Sequence, residues 1–221
     1  MLYTFVGDVH GKWEAVEAAL ANDGQVIFVG DIVDSYGDRG VEDYRRCYDL
    51  ILAAIEKGKA RAIFGNHELS YYMPYTHAAS GKTDASIDMM KEYEAKLMQK
   101  FEPFILLNSR FLVSHAGLSN EIWEAGYLDQ ADDLQARLTM WWHDLKSPMH
   151  WIGVVRGGKQ FVGGMFWCDF RREFQPVSGL TQVFGHTRGR DIRFAEDPVK
   201  GGSYCIDCLD FTENKFLQLD V

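Results

Sequence analysis

The chain of 221 residues contains no apolar run long enough to cross a bilayer. It has no excess of basic residues, and its formal net charge is −9. Non-specific grip on a nucleic-acid backbone draws on a basic stripe, so that partner is not expected. A small phosphorylated substrate stays open, because bound cations can invert a local field. The first residues, MLYTFVGDVHG, lack the basic region, apolar stretch and small-residue cleavage site of a signal peptide. They read as a first core strand, and the expectation is a cytoplasmic protein that does not engage a membrane. Internal repeats, low-complexity tracts and long linkers are missing too, which predicts one domain over 1–221. Cysteines are few: Cys47, Cys168, Cys205 and Cys208. Cys205 and Cys208 form a C-x-x-C inside the strand-like SYCIDCLDF, half of a zinc site at most and not at a helix start. Reduced structural thiols are expected.

The front of the chain alternates. Residues 2–7, 25–29 and 61–64 read as strands. Between them, Trp13, Val16 and Leu20, then Val41, Tyr44, Cys47, Tyr48, Ile51, Leu52 and Ile55, mark helix faces. Strand, helix, strand, helix, strand implies a parallel sheet with right-handed crossovers. Residues 76–86 are small and polar, a loop, and a helix runs on to about 101. The segment 76–101 is either a helical cap or a long connection. RFLVSHAG is another strand, and Leu134, Leu138, Trp141, Trp142 and Leu145 mark another helix. Residues 153–164 are glycine-rich and predict a mobile loop or hairpin. TQVFGH, SYCIDC and KFLQLDV end the chain as strands, giving an α/β front and a strand-rich back.

Polar residues recur just after the apolar strands: Gly7-Asp8-Val9-His10-Gly11, then Gly30-Asp31 with Asp34, then Gly65-Asn66-His67-Glu68, then His115-Ala116-Gly117, then Gly185-His186-Thr187. In α/β folds ligands gather at the carboxyl ends of strands. Each motif alone fits ordinary turn chemistry or a packed histidine. Five together point to one centre of nitrogen and oxygen donors. Such a set suits Mn, Fe or Zn, not an all-oxygen calcium site. Six candidate ligands exceed one catalytic zinc and match two metals sharing a carboxylate.

GDVHG, GDIVD, GNHE, HAG and GHT, in this order from residue 7 to 187, resemble the calcineurin-like metallophosphoesterases, most of all their phosphoprotein phosphatase branch. The resemblance implies two packed mixed β-sheets flanked by helices. It implies two divalent ions, manganese first, with iron or zinc also fitting. Asp8 and His10 would hold the first ion, Asp31 would bridge, and Asn66, His115 and His186 would hold the second. Hydroxide held between the ions would attack phosphorus in line. His67 would protonate the leaving oxygen, its ring oriented by Asp34. The implied substrates are phosphorylated proteins or small phosphoesters.

Two departures concern phosphate-binding arginines. The family pattern GDxVDRG carries arginine directly after the second aspartate. This chain has Ser35 there, and Arg39 follows the SYGD detour. Arg39 either still reaches the site, gripping phosphate with its planar fork, or starts the next helix in solvent. The family's arginine two residues after a tryptophan is replaced too: Trp167 is followed by Cys168 and Asp169. Arg171 and Arg172 could substitute, or lie on the surface. Glu68 and Thr187 stand where dinucleoside polyphosphate hydrolases of the superfamily carry GNHD and GHW. That hydrolase or a phosphodiesterase is the nearest alternative. A metal-binding interaction protein with weak or no turnover is the non-enzymatic one. Gly153 to Lys159 nearly spells a P-loop, but Gln160 supplies no magnesium-binding hydroxyl. Tyr71, Tyr72 and Tyr75 fit a pocket or the core, and His77, His143 and His150 fit structural or solvated positions.

Overall fold

QVIF, the second strand, is buried on both faces. Val26 and Phe28 join the cluster packed by the helices, while Ile27 and Val29 join a second cluster with Phe5, Ile63, Val113 and Val183. A period of two between two apolar layers explains the unbroken apolar run in the sequence. The computed structural model describes residues 1–35, 37–73, 79–125, 133–197, 199 and 201–221.

The first sheet has the order β3-β2-β1-β9, with β1 (Leu2–Val6), β2 (Gln25–Phe28) and β3 (Ala60–Ala62) parallel and β9 (Leu217–Asp220) antiparallel. The second has the order β4-β5-β6-β8-β7. Its centre, β5 (Phe111–Val113), β6 (Thr181–Phe184) and β8 (Gly202–Cys205), is parallel. Its edges, β4 (Ile105–Asn108) and β7 (Arg193–Glu196), are antiparallel. Phe5, Ile27 and Ile63 of the first sheet meet Ile105, Phe111, Val113, Val183 and Ile206 of the second, so the sheets pack face to face. The protein is thus a mixed α/β sandwich of two mixed sheets flanked by helices.

Helices α1 (Trp13–Leu20) and α2 (Val41–Glu56) are the crossovers of the first sheet. The α2 stripe Tyr44, Cys47, Tyr48, Ile51 and Leu52 is buried, as its spacing requires. Helix α3 (Asn66–Tyr72) starts inside the GNHE motif. Helix α4 (Asp84–Lys100) is capped by Thr83, whose hydroxyl accepts from the Ser86 N–H. It buries Met89, Met90, Tyr93 and Leu97 in the helix-side core. Within 79–101, only Ala79 and Ser80 reach the pocket described below. Helices α5 (Asn120–Ala125) and α6 (Leu134–His143) follow β5. Tyr75 and His77 lie outside the described residues.

The 153–164 segment differs from the loose loop its glycines predict. Val154 N–H donates to the Gln160 carbonyl at 2.7 Å, and Gly163 N–H donates to the Glu173 carboxylate at 3.2 Å. A buried carboxylate therefore pins the loop. Its near-P-loop forms a 3-10 turn, Val154–Arg156, with no helix N-terminus for phosphates to meet. All four cysteines are buried free thiols. No described helix is long and apolar enough to cross a membrane.

Candidate metal and phosphate site

The strand-end residues converge. Asp8, His10, Asp31, Asn66, His67 and His186 line one pocket of about 420 Å³, and His115 lies fully buried behind Asn66. Register explains part of this. Val6 pairs with Phe28 and Phe184 with Cys205, so the residues past each pair of strand ends emerge side by side. The backbone then bends sharply. His10, Asp31, Asp34 and His186 adopt positive φ of 45°, 51°, 61° and 65°. Each such residue costs about 1 kcal/mol or more, a strain typical of functional sites. Glycine makes the close approaches feasible. A Cβ on Gly65 would collide with Asp31 Oδ1, and one on Gly185 with Asp8 Oδ1.

Backbone carbonyls set the histidine tautomers. His10 Nδ1–H donates to Val33 O at 2.9 Å, and His115 Nδ1–H donates to Val29 O at 2.8 Å. A carbonyl only accepts, so in each neutral ring Nε2 carries the lone pair, the arrangement found in metal-ligating histidines. His115 Nε2 lies 2.8 Å from Asn66 Oδ1, 3.2 Å from His186 Nδ1 and 3.4 Å from Asp31 Oδ2. Asn66 Oδ1 is also 2.8 Å from His186 Nδ1, while His186 Nε2 is buried without a partner. The ring's polar contacts therefore run through Nδ1. Asp31 Oδ1 accepts from His67 N–H at 2.9 Å, which leaves Oδ2 facing His10 Nε2 and His67 Nε2, each 4.0 Å away. Two groups, His10 with Asp31 and His67, and Asp31 with His115 and His186, are compact enough to hold a cation, and they share Asp31.

The electrostatics favour positive charge at this centre. Burial opposes charging His115, but Asp31 outweighs it and raises the pKa. Burial resists ionisation of Asp31 as well, yet His115 and His67 hold its pKa well below the usual carboxylate range. Asp8 is pushed well up by burial, then by Asp207 and Asp31. Burial lowers His10 to about 4, and burial first, then the neighbouring His115, holds His186 well below the ordinary histidine value. Clustered carboxylates, neutral imidazoles and an amide oxygen are the donors a pair of borderline divalent ions takes, so these residues fit the ions the sequence implies.

His67 Nδ1 sits 3.0 Å from Asp34 Oδ2. Burial works against charging this ring, but Asp31 and then Asp34 outweigh it, and its pKa lies above the ordinary histidine value. Asp34 Oδ1 in turn accepts from the Tyr71 hydroxyl at 2.5 Å, and Tyr71 contacts Ser86 Oγ of α4 at 2.8 Å. Tyr71 thus braces Asp34 as well as packing against the core.

Glu68 organises the strand ends from beneath. Fully buried, it accepts from the N–H groups of Asp31 (2.9 Å), Ile32 (2.8 Å) and Gly65 (2.9 Å), and from the Tyr48 hydroxyl (2.9 Å). Its removal would orphan several buried donors. Glu68→Ala is expected to lower unfolding free energy by about 3 kcal/mol or more. Urea denaturation of the metal-free protein checks this; an unchanged midpoint contradicts it.

The arginines are placed unevenly. Arg39 pairs with Glu14 at 3.0 Å and Asp43 at 3.6 Å, just before α2, and does not line this pocket. Tyr44 holds the detour there, accepting from Ser35 N–H and donating to Arg39 O. Arg171 lines the pocket and donates to Arg188 O at 2.5 Å, whereas Arg172 is exposed away from it. Three lining residues escaped the sequence reading. Arg156 comes from the pinned loop. Arg188 follows the GHT motif and pairs with Asp210. Asp207 follows β8, its pKa raised to about 6 by burial, then by Asp210 and Asp31. Asp207 lies two residues past the strand end, the one signal that could have found it.

The sequence pattern of the calcineurin-like phosphoesterases matches residues 1–188. The cold-active protein-tyrosine phosphatase of a psychrophilic Shewanella species superimposes with a TM-score of 0.61 over 99% of this chain and 75% of its own, at 19% identity. A protein serine/threonine phosphatase from Saccharomyces cerevisiae, with similarity to human phosphatase PP5, superimposes with a TM-score of 0.50 over 93% of this chain and 66% of its own, at 17% identity. At these identities the two structures speak for the fold alone. Comparison with curated proteins returns no match. The sequence match over most of the chain and the converging donors lead to one assignment: the chain belongs to the calcineurin-like phosphoesterase family and is a metal-dependent phosphoester hydrolase.

Proposed function

We propose that this protein is a phosphomonoesterase of the phosphoprotein phosphatase type, acting on a phosphorylated protein or a small phosphoester. The observation that carries the proposal is the His67–Asp34 pair, 3.0 Å apart, set beside a shared-carboxylate donor set. Asp8, His10 and Asp31 would hold one divalent ion, and Asp31, Asn66, His115 and His186 the other, with manganese the first expectation. Such a pair activates water and neutralises phosphoryl oxygens. Asp34 fixes the His67 ring through Nδ1, so Nε2 faces the pocket and delivers its proton to the departing alkoxide. Hydrolysis of phosphoserine peptide and p-nitrophenyl phosphate, with little of the bis ester or a diadenosine polyphosphate, supports this reading. The reverse preference overturns it.

Arg156 is the best-placed phosphate clamp. Its guanidinium is held by Asp169 Oδ2 at 3.0 Å and Thr187 Oγ1 at 3.2 Å, and its Nε is buried without a partner. Arg171, on the same wall, would assist. A charge-assisted bond to phosphate contributes enough that Arg156→Ala should lower kcat/KM about 10–100-fold, mostly through KM. Arg156→Lys should recover part of the loss, and Arg39→Ala should behave as wild type. Wild-type kinetics in Arg156→Ala would remove the arginine from the site.

A further inference from the structure

We propose that Asp207 is a further protein ligand of the ion held by Asp8, His10 and Asp31; this rests on the two-ion reading above. Phe184 pairs with Cys205 across the parallel β6–β8 ladder, and Ile206 N–H extends that ladder to Phe184 O at 2.8 Å. Asp207 therefore leaves the second sheet beside His186. The end of β1 approaches from the other sheet. A Cβ on Gly7 would collide with Ile206 O and come within 3.2 Å of the Asp207 Cα. Glycine is required there, and the contact sets Asp8 and Asp207 side by side across the sandwich.

The Asp207 carboxylate lines the metal pocket, is 2% exposed, and its Oδ2 has no hydrogen-bond partner. The charged groups around it are mostly of its own sign: Asp8, Asp31 and Asp210. The nearby cations Lys12 and Arg188 are both engaged by Asp210. An ionised carboxylate buried among carboxylates is strongly unfavourable unless a cation joins them. Asp8, His10, Asp31 and Asp207 then form a set of three carboxylates and one imidazole. The second ion's set, Asp31, Asn66, His115 and His186, is richer in nitrogen. Harder carboxylate donors suit manganese, so the first position should favour Mn²⁺ over Zn²⁺ more strongly than the second.

The test is Mn²⁺ titration of the metal-stripped full chain, with ion content measured by mass spectrometry after dialysis. Wild type and Asp210→Asn should each take up two ions. Asp207→Asn should retain one and bind the other at least about tenfold more weakly, as loss of a supporting carboxylate does at other metal sites. Metal-free Asp207→Asn should melt no lower than wild type, because it loses a buried, unpartnered charge. Asp207→Ser supplies the same comparison if the asparagine variant does not fold. Two ions of unchanged affinity in the Asp207 variants would overturn the assignment while leaving the two-ion site standing. Absence of Mn²⁺ uptake by wild type would overturn both.

Discussion

Replacing His67 with alanine is expected to lower kcat on a phosphoserine peptide by about 10²–10⁴-fold, the usual worth of a positioned general acid. The metal content should not change, since the ring's Nδ1 is bonded to Asp34 and its role is proton delivery. The loss should be smaller with p-nitrophenyl phosphate, because nitrophenolate departs readily without a proton. A purely structural role would lower both substrates alike. The pH profile carries the sign. A general acid acts while protonated, so kcat falls as pH rises through the His67 pKa. That pKa is raised by Asp31 and Asp34 over the opposition of burial. Asp34→Asn should therefore move the alkaline limb to lower pH. An unmoved limb, or equal losses on both substrates, would take the acid role away from His67.

Replacing Asp31 with asparagine should act on both donor groups at once. One Asp31 oxygen is tied to His67 N–H, and the other faces His10, His67 and His115 at 4.0, 4.0 and 3.4 Å. Asparagine keeps the shape but removes the charge shared by both donor groups. Both ions should weaken together, with kcat/KM lower by about 10³-fold, the equivalent of about 4 kcal/mol. Titration with Mn²⁺ alongside phosphatase assay reads both quantities. Retention of two tight ions would show that Asp31 does not bridge. In folding terms the same substitution should be tolerated, because Glu68 and not the Asp31 side chain holds the strand end together.

The alternation of strands and helices at the front of the chain, and the polar motifs at the strand ends, were legible because apolar strands and their glycine punctuation are local signals. GDVHG, GDIVD and GNHE each mark a strand end within a few residues. Other features depend on partners far along the chain. GNHE reads as a turn, yet Asn66 starts a helix, because Glu68 reaches back to the Gly65 N–H and caps it. The glycines of 153–164 suggested looseness, and only Glu173 and Gln160 reveal a pinned loop that delivers Arg156. Arg39 followed the motif in sequence but not in space, since Glu14 on α1 competes for it. Asp207 was hidden inside SYCIDCLDF, which reads as core strand, and its approach to Asp8 comes from contact between two sheets. The left-handed backbone at His10, Asp31, Asp34 and His186 has no clear sequence mark beyond residue type.

The proposed mechanism stands on two adjacent ions sharing Asp31. Anomalous diffraction at the manganese edge, from crystals grown with Mn²⁺, tests it most directly. Two peaks about 3.5–4 Å apart are expected, one among Asp8, His10 and Asp31, the other among Asp31, Asn66, His115 and His186. A single peak, or peaks away from Asp31, would contradict it.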